Sequence, residues 1–273
     1  NPGLRGIGID EETAIVVKSD NTIEVIGDNK AMLFEPYSAV NGSGYCTGVH
    51  SNIQLASINA DGSLDSWNTV GTAVDERLGG NLIAWRGHLY RVGGCSSQDA
   101  TTGDCGASTL DLIRVGDINR DGDASTVGES SPSGSGTCTG GTPTKCNLPG
   151  TTYVGNMLTN SFIYNGHLYV TGGCTNNACS TTSNDVVYTA INTDGSIVQP
   201  STCAGSYQGG AWCYLADVLP SGVAASSPVT FGGHAYLVGG LNGTANTNTL
   251  LRADLNSDGS LGTWTSQSMT GIG

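Results

Sequence analysis

Three times this chain writes nearly the same phrase: "RGHLYRVGG" at Arg86–Gly94, "NGHLYVTGG" at Asn165–Gly173 and "GGHAYLVGG" at Gly232–Gly240. Repetition constrains a fold more tightly than composition does, because each copy must meet the same burial problem with the same residues. The flanks align too. An apolar strand comes first ("NLIAW", "NSFIY", "SPVTF"), then a turn ending in Gly, then a second strand ("HLYRV", "HLYVT", "HAYLV") that runs into Gly-Gly. After a loop of variable length a third strand ("TLDLIRVGDI", "NDVVYTAI", "NTLLRADL") closes on one kind of turn: "INRDGD", "INTDGS", "LNSDGS". An earlier copy, "NIQLASINADGSLDSW", stands at Asn52–Trp67, so Asp-Gly turns fall at Asp61, Asp121, Asp194 and Asp258.

Each copy has a plain physical reading. Alternating apolar positions mark strands with one buried face. The Asn-x-Asp-Gly turn supplies the left-handed position that a tight reversal needs. Gly-Gly removes Cβ where backbone must pass close to a neighbour. The 42 glycines among 273 residues, about twice the usual ~7 %, fit a chain of many turns. One such sheet cannot bury both its faces, so copies are expected to stack, and stacked around an axis they make a propeller.

The pattern of strand, Gly-His-Leu-Tyr-Val-x-Gly-Gly, loop, strand, Asp-Gly-Ser-Leu and a late Trp resembles kelch repeats, particularly the longer units of bacterial extracellular proteins. Tyr90, Tyr169 and Tyr236 match the aromatic position before the Gly pair, and Trp67 and Trp264 match the late tryptophan. The resemblance covers roughly residues 40–270. It implies an all-β fold, a kelch-like β-propeller with four recognisable blade units. The second and third copies lack the late Trp after their turns, and the first lacks Gly-Gly; cysteine-bridged insertions occupy the space after the second and third turns. A histidine at the same place in each blade (His88, His167, His234) is expected to bond a local carbonyl rather than to act as a catalytic base. Four units are fewer than the six or seven usual for such propellers. The abrupt start and stop raise the expectation that sequence is missing at both ends.

Residues 1–36 do not follow the repeat. "NPGLRGIGIDEETAIVVKSDNTIEVIGDNKAMLFEP" reads as a strand at Gly6–Ile9, then "TAIVVKS", "TIEVIG" and "KAMLFE", separated by polar turns. Its wording resembles the C-terminal end of the cyanophycinase-type serine peptidases, in which "NPGLxGIGIDExTAxVV" leads to a short hairpin. The implied domains are therefore 1–36, a C-terminal remnant of an α/β peptidase-like domain that contributes a β-hairpin, and 37–273, the propeller blades. In that family the Ser, His and acidic partner precede this hairpin, and no Gly-x-Ser-x-Gly elbow occurs in the present chain.

Nine cysteines bear on compartment. Eight form near neighbours: Cys95 with Cys105, Cys138 with Cys146, Cys174 with Cys179, Cys203 with Cys213. Metal ligation is one reading, but no pair has CxxC spacing; four loop-stapling disulfides in an oxidising compartment is the expected one. Cys46 is left unpaired or intermolecular. Its neighbour His50 reads as a surface-loop residue, since a Cys/His nucleophile would need an orienting group that the sequence does not display.

The formal net charge of −13 disfavours phosphate backbones and anionic lipid, so no nucleic-acid partner is expected, and no apolar run is long enough for a membrane-spanning segment. "DINRDGD" has the oxygen-rich core of a calcium loop at Asp117, Asn119, Asp121 and Asp123. Yet "SINADG" and "AINTDG" make the same turn without its first Asp, so a hairpin turn is expected and calcium is the alternative. No other cofactor is indicated.

Two functions follow. The first is a secreted or cell-surface module for binding or assembly, with a protein or glycan ligand or neighbouring copies as partner and no catalysis by this chain alone. The alternative is the C-terminal portion of a cyanophycinase-like serine peptidase whose catalytic residues lie upstream of residue 1.

Overall fold

A computed structural model describes residues 157–193, 195–208 and 211–269, together with 80–86, 88–95, 148 and 154–155; elsewhere it describes Ser66 and the backbone of short strands. The chain divides into two compact units: Asn1–Glu76 with Leu82–Tyr90 and Val115–Ser130, and Arg77–Asn81 with Arg91–Arg114 and Ser131–Gly273.

The early strands are β1 (Gly6–Ile9), β2 (Thr13–Val17), β3 (Ile23–Gly27), β4 (Ala31–Phe34), β5 (Ala39–Val40), β6 (Cys46–Thr47), β7 (Asn52–Leu55) and β8 (Asn68–Thr72). All pair antiparallel, as β1–β4, β2–β3, β5–β6 and β7–β8. The β2–β3 ladder sets Thr13 against Gly27 and Val17 against Ile23, which makes the expected hairpin.

The repeat then supplies three sheets. Strands β9 (Asn81–Trp85), β10 (His88–Val92) and β11 (Ile113–Asp117) form one, in the order β11-β10-β9. The third copy contributes β12 (Asn160–Tyr164), β13 (His167–Thr171), β14 (Val186–Ile191), β15 (Ile197–Val198), β16 (Ser206–Gln208) and β17 (Trp212–Leu215), ordered β12-β13-β14-β17-β16 with β15 beside β14. The fourth contributes β18 (Ser227–Phe231), β19 (His234–Val238), β20 (Leu241–Asn242), β21 (Ala245–Asn246), β22 (Thr249–Asp254) and β23 (Thr265–Ser268), with the sheet order β18-β19-β22-β23. The protein is all-β and antiparallel, with no helix among the described residues.

Local chemistry sets these ladders. Tyr164 faces His167 and Phe231 faces His234 across two-residue turns. Such turns need positive φ at both central positions. Asn165 (46°) with Gly166 (73°), and Gly232 (58°) with Gly233 (79°), adopt it. The next reversal follows the third strand. Asn192 N–H donates to the Ser196 carbonyl (2.9 Å) and Gly195 N–H to that of Asn192 (3.0 Å), and Asn256, Gly259 and Ser260 repeat the pattern at 3.0 and 3.1 Å. Gly195 (79°) and Gly259 (85°) take the left-handed position.

One core joins the sheets of the third and fourth copies. Phe162, Tyr169, Val186, Tyr188, Cys213 and Leu215 of the third copy pack with Ala235, Leu237, Leu251, Ala253 and Trp264 of the fourth. Phe162 stacks on Tyr169 (4.8 Å between centroids) and Tyr169 on Tyr188 (5.6 Å). Aromatic rings in such offset stacks add to the area they bury.

The fourth strand carries a difference from the sequence reading. Trp264 precedes Thr265, which faces Arg252; Trp212 precedes Cys213, which faces Tyr188. Tyr188 and Arg252 are register equivalents, facing Tyr169 and Tyr236. The third copy therefore does possess the late tryptophan. It is Trp212, displaced along the chain by the insertion that Cys203 and Cys213 bridge.

Candidate interaction surface

Two ends of the sheets carry distinct chemistry. At one end the strands run into the Gly pairs. Gly93/Gly94, Gly172/Gly173 and Gly239/Gly240 share one geometry, φ near 62° and then 89–100°. A Cβ on Gly172 would run into the Val223 carbonyl, and one on Gly240 would come within 2.5 Å of the Ala224 carbonyl. That close approach is what Gly-Gly is for: Gly173 N–H donates to Val223 O at 2.8 Å.

The residue after each pair turns inward. Cys95, Cys174 and Leu241 share a small apolar cluster with Met157, Ala224 and Cys179. Cys174 bridges Met157 as Leu241 bridges Ala224. Loops from three successive copies are thus anchored on one patch. Above it the Cys174–Cys179 disulfide closes a loop of sequence separation 5, braced by hydrogen bonds from Asn176 Nδ2 to Ser180 Oγ (2.7 Å) and between the Thr175 and Thr181 hydroxyls (2.7 Å). Gly243 N–H reaches across to Thr182 Oγ1 (3.2 Å), tying in the β20–β21 hairpin. Asn177, Ser180, Thr181, Asn242, Thr244 and Asn246 are exposed here, all of them uncharged amides or hydroxyls.

At the other end the Asp258–Gly259 turn docks on the preceding copy. Tyr169 Oη donates to the Gly259 carbonyl (2.9 Å), Asn165 Nδ2 to the Ser257 carbonyl (3.0 Å), and Thr202 Oγ1 to the Asp258 carbonyl (3.3 Å). His167 lies so close to Gly259 that a Cβ there would run into its ring. Burial raises the Tyr169 phenol far above its ordinary value, with Tyr188 and Asp258 adding to the effect. Burial likewise pushes Tyr188 up to about 12. Asp258 is held below the ordinary carboxylate value by hydrogen bonds from Ser260 N–H (3.0 Å) and Oγ (2.8 Å).

The predicted residues separate accordingly. Disulfides Cys174–Cys179 and Cys203–Cys213 are present, and Cys95 is also disulfide-bonded. Cys105, Cys138 and Cys146 lie outside the described residues, as do Asn119, Asp121 and Asp123 and the side chains of Cys46 and Asp117. No group of three His, Cys, Asp or Glu suited to a metal occurs among the described residues. In the parallel "DLNSDG" turn the carboxylates diverge: Asp254 accepts from His234 Nδ1 (2.8 Å) while Asp258 binds Ser260. His167 Nδ1 donates to the Asn165 carbonyl (3.0 Å), the local bond expected of it; His234 takes a carboxylate instead. The two bridged loops leave the third sheet at opposite ends. Cys174 follows the Gly pair, whereas Cys213 faces Tyr188 within the ladder and its bridged loop enters β17 from the Asp-Gly end of β14.

Sequence reasoning missed the asparagines that open the first strands. Asn81 Nδ2 donates to the Thr159 carbonyl (2.6 Å), just before β12. Asn160 Oδ1 accepts from Ser226 N–H (2.6 Å), just before β18, and its Nδ2 donates to the Thr171 (3.1 Å) and Val223 (3.3 Å) carbonyls. Each hooks the next copy; the signal was the shared Asn of "NLIAW" and "NSFIY".

No family model matches the chain, and no curated protein sequence does. The solved structure titled "Structure of YjhT" is similar in fold, with a TM-score of 0.55 and 13 % identity over 97 % of this chain. This chain spans 64 % of the length of that one. At such identity the likeness speaks for the fold: an all-β chain of repeated antiparallel sheets.

Proposed function

We propose that this is a secreted or cell-surface kelch-like β-propeller module that binds a protein or glycan. The observation that carries this reading is the surface at the Gly-Gly end. On a chain of net charge −13, its loops 175–182 and 242–246 hold no charged side chain and expose Asn, Ser, Thr and Ala, held by a disulfide and by hydrogen bonds across copies. Preorganised neutral donors and acceptors suit sugar hydroxyls or a polar peptide, because little side-chain entropy is lost on binding. The disulfides suit an oxidising, extracellular setting, and no helix among the described residues is long and apolar enough to cross a membrane. Repeating sheets, Gly pairs and a likeness to a solved fold support the propeller. The test is a glycan array and a cell-surface binding assay with the full chain and with an Asn177→Ala, Thr181→Ala, Asn246→Ala variant. At least about tenfold weaker binding at an unchanged unfolding midpoint is expected; equal binding overturns the reading.

A second reading, the C-terminal part of a cyanophycinase-like serine peptidase, is favoured by one observation: the segment with that wording pairs as the β2–β3 hairpin that the resemblance implies. A native protein much heavier than 27.7 kDa that a fluorophosphonate labels would support it; an unlabelled protein of that mass would not.

A further inference from the structure

The chain writes Asn-Gly at Asn41, Asn165 and Asn242. In this dipeptide the side-chain amide is open to attack by the next backbone nitrogen, because glycine has no Cβ to shield that nitrogen. Asn41 lies outside the described residues; the other two sit in opposite surroundings. Asn165 is clamped. Its φ of 46° is left-handed, its Nδ2 donates to the Ser257 carbonyl (3.0 Å), and the Gly166 carbonyl accepts from Ile191 N–H (2.7 Å). Asn242 ends β20 at the exposed tip of the β20–β21 hairpin, facing Ala245. Its side-chain amide has no hydrogen-bond partner among the described residues. The tip is held instead by Gly243 N–H, which donates to Thr182 Oγ1 at 3.2 Å, the long end of the range for such bonds.

We infer that Asn242 is a self-modifying site, which deamidates through Gly243 and so switches off the neutral ligand surface. The Gly243 nitrogen gives up its proton and attacks Asn242 Cγ. A C–N bond forms, and the side-chain amide leaves as ammonia with a proton returned to it. Water then opens the cyclic imide at either carbonyl, yielding an aspartate or an isoaspartate. Nothing is oxidised or reduced, and water is the one co-reactant. Both products set a carboxylate among the exposed amides and hydroxyls of Asn177, Thr181, Thr244 and Asn246. The isoaspartate also lengthens the backbone at 242, which breaks the pairing with Ala245 and draws Gly243 away from Thr182. The Thr182 hydroxyl is thus the brake on the reaction. The effect on binding rests on the ligand surface proposed above; the reaction itself does not.

The test incubates the full chain at neutral pH and maps its peptides by mass, with isoaspartyl methyltransferase marking the rearranged product. Acid is expected to gather at Asn242 well ahead of Asn165. Thr182→Val, which keeps the shape and removes the hydroxyl, should speed the change at Asn242 at least about twofold and leave Asn165 unaltered. An Asn242 that stays an amide while the free peptide Leu-Asn-Gly-Thr-Ala converts overturns the inference, as does conversion no faster than at Asn165. A sugar found on Asn242, which opens an Asn-Gly-Thr acceptor, also overturns it. The acid form, separated by anion exchange, should bind the glycan or cell surface at least about tenfold more weakly than the amide form. Equal binding by the two forms overturns the switch. Conversion at Asn242 in a chain whose amide form binds neither glycan nor cell surface sinks the ligand reading and upholds the modification site.

Discussion

Trp212 and Trp264 occupy one register position in two successive sheets, Trp212 as the first residue of β17 and Trp264 directly before β23, and both are buried, at 0 % and 4 % exposure. Neither indole N–H finds an acceptor among the described residues. Their contribution is therefore packing. Trp212→Ala and Trp264→Ala should each cost about 3–5 kcal/mol, read as a lower urea midpoint. The Phe substitutions should cost clearly less, because no hydrogen bond is lost; equal losses for Phe and Ala would show that the indole N–H matters.

A graded series tests the glycine geometry. Gly172→Ala drives a Cβ into the Val223 carbonyl, a backbone atom that cannot step aside. Gly259→Ala meets the His167 ring, which can turn away. Gly233→Ala meets nothing within 4 Å and suffers only its left-handed φ of 79°, about 1 kcal/mol. Unfolding midpoints should fall in the order Gly172, Gly259, Gly233, with Gly172→Ala lowest.

Asn160→Ala leaves the Ser226 N–H and two buried carbonyls without this partner and should cost about 2–4 kcal/mol. Asn81→Ala removes one hydrogen bond, that to the Thr159 carbonyl, and should cost less. Hydrogen exchange of the Ser226 amide should quicken in the first variant.

Alkaline stability follows from the tyrosines. Tyr188 is pushed from 10.0 up to about 12 in the folded state, and Tyr169 is raised as well. A group whose folded value is raised stabilises fully below its unfolded value and loses that contribution as pH rises through the folded one. The urea midpoint should therefore hold to about pH 9 and drop between about pH 10 and 12. Tyr188→Phe should flatten that drop.

Reducing the Cys203–Cys213 bridge, of sequence separation 10, should cost about 2–3 kcal/mol by the loop-entropy estimate. A Cys203→Ser, Cys213→Ser variant should unfold at correspondingly lower denaturant. It should still show the far-ultraviolet signature of the sheets.

Strands, two-residue hairpins, Gly pairs and Asp-Gly turns were legible because each is dictated within a few residues, by alternation or by a required left-handed φ. The inter-copy contacts were not. Asn160 reaches Ser226, Tyr169 reaches Gly259, and no local pattern announces a partner so distant in sequence. Trp212 was missed for a related reason: register equivalence survives an insertion that sequence spacing does not. The opposite placement of the two bridged loops followed from strand direction, which is visible only once the ladders are paired.

The third copy interrupts its path between the Asp-Gly turn and the fourth strand, yet Trp212 returns to its ordinary place. The Cys203–Cys213 bridge pins the interruption to the strand it delays. That site behaves as a cassette: what lies inside it can be lengthened, shortened or exchanged while the scaffold reads the same register on re-entry. Variation in such a lineage would gather there, and a foreign loop grafted between Cys203 and Ala211, with Ala211 and Trp212 kept, would be displayed on a frame that holds its own register.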